Sequence, residues 1–305
     1  MSSPTPIRRS RQDVEILRIL SCFGIVWFHN GRDTWGVGYG GLVVFLVFST
    51  FFAAAPGRKI GDWKHVLLER SRRLLIPWGF WMVVFGVRNH WFADRYVIET
   101  DRGWINGVLA GTNIHLWYLP FIFAVAVAVD LLLPRLPRRS VAWTAGFLSA
   151  FLLALAARWR PWADTHGFPT IQYLHAIPAV LTGLFLAGSS ALGWGWTSTW
   201  LLAILGASAW NQWSRLDGVG TTYLVGAGAT ALVLLRPIPL PGWLRLDRIS
   251  ACAFGVYLCH PLWLGLFEDM ESVPRIWEAW FAFGAALGST LLARTLLPRP
   301  AAWIS

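Results

Sequence analysis

Arg18 and His29 stand eleven residues apart within one apolar run, RILSCFGIVWFH. On an α-helix eleven steps of about 100° return to within about 20° of one face, and a rise of about 1.5 Å per residue separates the two groups by some 16 Å. One helix face would then carry a guanidinium near its entrance and an imidazole well inside an apolar layer. Ionisable groups in lipid are costly, and by default they mark a functional site. An imidazole there suits general-base chemistry at neutral pH and equally suits a covalent acyl intermediate. The alternative is structural: Arg18 snorkels to lipid phosphate and His29 bonds a neighbouring helix.

A second group lies in Glu69-Arg70-Ser71-Arg72-Arg73, just before the apolar Leu74-Leu75-Ile76-Pro77-Trp78. Arginines beside a membrane helix can simply fix topology. They can also grip phosphate through bidentate hydrogen bonds. Arg70 and Arg73 are expected on the same side as Arg18, so a phosphorylated carrier held there would feed its reactive end towards His29. His115 and Trp117 open another apolar run, where site-shaping competes with interfacial anchoring. His260 precedes Pro261, whose ring predicts an interruption of that helix. His90 and His166 are expected in solvated outer loops, and Asp33 in a turn or cap rather than orienting His29. Cys22, Cys252 and Cys259 read as buried small hydrophobes. No spacing fits a metal site, and neither a Gly-rich phosphate loop nor a GxSxG elbow occurs.

The elements that must hold these groups are membrane helices. The chain has 305 residues, 55% hydrophobic and 14% charged, against roughly 25% charged in soluble domains. Apolar runs predict an all-α integral membrane protein of about ten spans, at 14–31, 38–56, 74–91, 114–133, 141–158, 170–188, 194–210, 221–236, 249–267 and 276–297. The seventh and eighth are short. Many of the 21 Trp residues fall near span ends, where indole favours the interface. The first run holds His29 and lacks a cleavage site, so it reads as a retained helix and not a signal peptide. Of the 26 Lys and Arg residues, eighteen fall on one side of this arrangement and eight on the other. The richer side is cytoplasmic, which places both termini there, with residues 1–13 as a basic tail. The net charge of +10 lies between apolar runs and not on one folded face, which argues against nucleic-acid binding. One membrane domain, 1–305, without a fused soluble domain, is the expected organisation.

Several segments together resemble the membrane-bound acyltransferase 3 family. Glu15-Ile16-Leu17-Arg18 with His29 is similar to the Arg-x10-His opening of its first helix. Gly40-Gly41-Leu42-Val43-Val44-Phe45-Leu46-Val47-Phe48-Ser49-Thr50-Phe51 is similar to its second-helix signature, and Arg70-Ser71-Arg72-Arg73 to its RxxR element. His115-Leu116-Trp117-Tyr118-Leu119 and Tyr257-Leu258-Cys259-His260-Pro261 resemble its later histidine segments. The five stand in family order across most of the chain. The resemblance implies an O-acyltransferase of about ten helices in a bacterial plasma membrane. Such an enzyme takes an acyl group, often acetyl, from cytoplasmic acyl-CoA and passes it to a hydroxyl of a cell-envelope glycan or lipid-linked sugar, sometimes with envelope-biosynthesis partners. It implies His29 as catalytic residue, Arg18, Arg70 and Arg73 as donor-binding, and Gly40, Gly41, His115, Trp117, Tyr257 and His260 as site-shaping. The chain departs from the family at Thr50, where Gly is usual, at Val43, often acidic, and at Glu15, usually Asp.

Two other classes fit the residues: a transporter with Arg18 and His29 along its path, and a non-catalytic membrane subunit serving a partner enzyme. Against transport, no paired repeats or matching broken helices occur. A neutral His29 acting as base and a ping-pong route through acyl-His29 both remain open.

Overall fold

The computed structural model describes residues 11–31, 33, 35–55, 62–92, 103–216, 219–268, 270 and 274–297. Residues 1–10 of the expected basic tail lie outside them. Among the described residues all regular structure is helical, as the sequence predicts. The main helices are α1 Gln12–His29, α2 Gly40–Ala53, α3 Trp63–Arg70, α4 Ile76–Phe92, α5 Trp104–Ala110, α6 Tyr118–Leu132 and α7 Arg138–Ala154. They continue with α8 Ala156–His166, α9 Thr170–Gly188, α10 Trp194–Trp213, α11 Gly220–Leu235, α12 Leu246–Ser250, α13 Ala253–Glu268 and α14 Arg275–Leu296. By length and apolarity, three helical stretches among the described residues suffice to cross a membrane, at 114–135, 170–191 and 276–296, or four if the bent α7–α8 pair counts as one.

Helix α2 is the hub. It is mostly apolar and buried along most of its length, packing on α1, α6, α9 and α11. Its first two residues allow this. A Cβ at Gly41 would run into the Ser21 carbonyl of α1, and one at Gly40 would stand 3.2 Å from the Thr222 carbonyl of α11. Small residues thus bring three backbones together, as membrane helices commonly do. Val43 fills the same interface, fully buried against Gly226, which explains how an apolar residue is accommodated there.

Three elements differ from the sequence expectation. The third span was expected from residue 74, but helix begins at Trp63 and runs through a π turn, Ser71–Leu75, into α4. Pro77 has no N–H for the Arg73 carbonyl, and a widened turn absorbs that missing bond. The fifth span was expected to reach 158, but α7 ends at Ala154 and α8 leaves it at 78°. Carbonyls freed at such a break need donors. Trp159 Nε1 donates to the Leu152 carbonyl at 2.7 Å, and Asn211 Nδ2 to the Leu153 carbonyl at 2.8 Å. The third difference is α13, which continues through Pro261 without interruption. Proline removes the donor for the Tyr257 carbonyl, and the His260 ring supplies one instead, Nδ1–H to that oxygen at 2.8 Å.

The start of α1 is tied to the segment after α11 by Asp13. Its carboxylate accepts from Arg11 Nη2 at 2.6 Å and from the Ile238 and Val14 N–H groups, each at 2.9 Å. Burial alone would raise its pKa, but these donors and the Arg11 charge outweigh it and hold the carboxyl below its usual range.

Candidate active site

His29 closes α1, and its ring lies 5.1 Å, centre to centre, from that of His260 on α13. His115, before α6, lies 5.4 Å from His260. The three imidazoles differ in freedom. Both nitrogens of His115 are engaged, Nε2 with the Leu258 carbonyl at 3.2 Å and Nδ1 with the Asn113 side chain at 2.9 Å, while its own carbonyl accepts from the Tyr257 hydroxyl. It is a fixed wall. His260 gives its Nδ1 proton to Tyr257, so its Nε2 carries a lone pair, and that atom is buried without a partner. His29 makes no side-chain hydrogen bond among the described residues and is partly accessible. Asp33, in the loop between α1 and α2, accepts from the Tyr39 N–H at 2.8 Å, a turn-forming bond as expected.

A cavity of about 370 Å³ approaches this cluster, with Tyr257 in its wall and none of the three imidazoles among its lining. Arg18 and Arg70 stand in its wall, with Phe45, Ser49 and Tyr118 further along and Ile25 and Tyr257 among its lining. Ile25 precedes His29 by four residues and Tyr257 precedes His260 by three, about one helical turn each. The wall is mostly apolar, with the two guanidiniums as its charges. Arg18 pairs with Glu15 at 3.4 Å and lies 5.6 Å from the centre of the Phe52 ring. Arg70 is held by Asp130, Nε to Oδ2 at 2.8 Å, and its Nη2 is buried with no partner. The guanidinium is therefore anchored by Asp130 on one side and unsatisfied on the other, which leaves a donor for an anionic or carbonyl oxygen.

A family model described as an acyltransferase domain matches residues 11–296. The chain belongs to the acyltransferase 3 family. With its apolar helices, this makes it a membrane acyltransferase. No curated protein and no solved structure matches it.

The structure brings together most of the family positions. His29, His115, Tyr257 and His260 form one cluster, and Arg18 and Arg70 share one cavity. Arg73 does not join them; its side chain is 69% exposed and pairs with Glu69 at 3.0 Å. Trp117 is buried against Phe121 and Tyr173, inside the bundle and not at its rim. His90 and His166 end helices instead of lying in loops, and both are exposed. Thr50 lines the cavity with its hydroxyl turned back to the Leu46 carbonyl, and its Cβ faces Gly183 of α9. The room that the family's glycine leaves on α2 is here left on α9. Sequence reasoning missed Asp130, although a single acid in the apolar run 116–133 is a signal. It also missed His175 in α9, for which the same signal existed, and the Tyr118 hydroxyl, 3.1 Å from Ser49 Oγ.

Proposed function

We propose that this membrane acyltransferase takes an acyl group, acetyl by family resemblance, from acyl-CoA at the cytoplasmic side and transfers it to a hydroxyl of a cell-envelope glycan or lipid-linked sugar. The single observation that carries the donor half is the cavity running from Arg18 and Arg70 to within one turn of His29 and His260. Its two cations suit the phosphates of CoA, its apolar wall suits a thin pantetheine arm, and its inner end would put a thioester beside His29. The acceptor half rests on the family. The proposal includes about ten spans, cytoplasmic termini and a bacterial plasma membrane, supported by the eighteen-to-eight distribution of Lys and Arg.

In this reading His29 takes the proton of the acceptor hydroxyl as its oxygen attacks the thioester carbonyl. The C–S bond breaks, the ester C–O bond forms, and the proton passes from His29 to the departing thiolate. A positioned base contributes about 10² to 10⁴-fold. The Nε2 lone pair of His260 would accept an N–H from His29, steady the ring and leave its other nitrogen facing the hydroxyl.

The test is release of free CoA from acetyl-CoA by protein purified in detergent, with and without an envelope-glycan extract. Acceptor-dependent release should vanish in His29→Ala. Arg70→Met should weaken the apparent donor affinity far more than Arg73→Ala, since only Arg70 lines the cavity. Equal release by wild type and His29→Ala would remove His29 from the chemistry. No release by folded protein, over several acyl-CoAs and extracts, would favour a transport or partner-dependent role.

A further inference from the structure

A second polar cluster, on α8, α9 and the residue preceding α2, is joined to His29 through the rings of Phe28 and Tyr39. Arg160 Nη1 is 3.0 Å from His175 Nδ1. A guanidinium only donates, so Nδ1 accepts and the His175 proton sits on Nε2. That nitrogen is buried with no partner, as is the Tyr173 hydroxyl two residues earlier. Among the described residues Arg160 has no carboxylate partner, and the partly buried cation rests against the neutral His175 ring. The Tyr39 ring stacks on His175 at 5.3 Å and on Phe28 at 4.4 Å, and Phe28 contacts His29 at 5.3 Å. The Tyr39 hydroxyl donates to Gln172 Oε1 at 2.7 Å, leaving the amide N–H groups of Gln172 for another acceptor.

We propose that Arg160, His175, Gln172 and Tyr39 form the acceptor subsite, and that it takes a sugar carrying an anionic group. The inference rests on the acyltransferase reading and adds the acceptor's charge to it. The Arg160 guanidinium is only partly buried, and an incoming carboxylate or phosphate can complete it with charge-assisted bonds. The unpartnered His175 N–H and the Gln172 amide supply donors for sugar oxygens, and the aromatic series sets the subsite three ring contacts from the catalytic imidazole.

The experiment uses full-length protein in a polyoxyethylene detergent, free of competing glycosides. Thermal stabilisation is titrated with dodecyl glucuronide, dodecyl glucoside and dodecyl phosphate, and CoA release from acetyl-CoA in the presence of the envelope-glycan extract is followed in the same preparations. The glucuronide should stabilise wild type at the lowest concentration. Arg160→Gln should weaken it about tenfold or more, the loss of one charge-assisted interaction, with Gln172→Ala a milder second variant. Extract-dependent CoA release should fall in both. Equal binding of glucoside and glucuronide, or unchanged glucuronide binding in Arg160→Gln, overturns the subsite. Dodecyl phosphate binding as tightly as the glucuronide also overturns it, making the cluster a lipid-headgroup anchor. Arg160-dependent glucuronide binding with no CoA release in any preparation would instead reject the transferase reading and leave the anionic subsite standing.

Discussion

The Arg70–Asp130 pair allows structural and donor-binding roles to be separated. Its side chains are only 13% and 6% exposed, and they meet at 2.8 Å. Removing one member of such a pair leaves an uncompensated charge and costs about 3–5 kcal/mol. Asp130→Ala should therefore lower Tm by roughly 10 °C, at about 2–4 °C per kcal/mol for a chain of this size. Replacing both residues by apolar groups of similar volume, Arg70→Met with Asp130→Leu, removes the penalty along with the attraction, and stability should return to within about 1 kcal/mol of wild type. Donor binding should not return. The free Nη2 of Arg70 is lost in the double variant, and a charge-assisted bond is worth about 1.5–3 kcal/mol, which is about 10- to 100-fold in apparent affinity. Thermal melts and CoA-release titrations on wild type, Asp130→Ala, Arg70→Met and the double variant measure both quantities. A double variant that recovers donor affinity together with Tm would refute the donor role of Arg70. An unchanged Tm in Asp130→Ala would refute the buried pair itself.

Other outcomes follow from single contacts. His260→Asn keeps an N–H for the Tyr257 carbonyl but deletes the Nε2 lone pair, so melts should resemble wild type while CoA release slows about 10²-fold through misplacement of His29; wild-type turnover would show that His260 serves the helix alone. Gly41→Ala should cost about 1–3 kcal/mol, because its new methyl meets the Ser21 backbone, whereas Gly206→Ala, with open space around the Cβ, should leave Tm unchanged or raise it by the helix preference of Ala over Gly, about 1 kcal/mol. Similar melts for the two would contradict the close approach of α1 and α2. Asp13, with its pKa held low in the folded protein, contributes stability that is complete above the unfolded carboxyl value, about 4. That contribution is lost as pH falls through the folded value. The Tm gap between wild type and Asp13→Asn should be constant from about pH 5 to 7 and shrink below about pH 4; a gap independent of pH would exclude the charged clamp.

Local pattern carried much of this fold. The Arg18–His29 spacing puts both on α1, and the glycine pair at 40 and 41 is where α2 meets α1 and α11. What depended on distant partners was not legible. Nothing near Arg70 announces Asp130, sixty residues on, so Arg70 and Arg73 read alike until the fold buries one and exposes the other. The bend at Leu155 was hidden because its freed carbonyls are satisfied by Asn211, on another helix, as well as by Trp159. Pro261 misled for a related reason. The rule that proline interrupts a helix assumes an orphaned carbonyl, and here the neighbouring His260 bonds that carbonyl.

That bond ties the helix to the chemistry. With Nδ1–H committed to Tyr257, the lone pair of His260 can lie only on Nε2, and the ring cannot turn over without orphaning the carbonyl below Pro261. Proline at 261 thus fixes the tautomer at 260. The His260 ring lies 5.1 Å, centre to centre, from that of His29, which has no side-chain hydrogen bond among the described residues to set its proton. In the proposed reaction, a single missing backbone N–H on α13 would in this way be transmitted through two rings to the nitrogen that takes the hydroxyl proton.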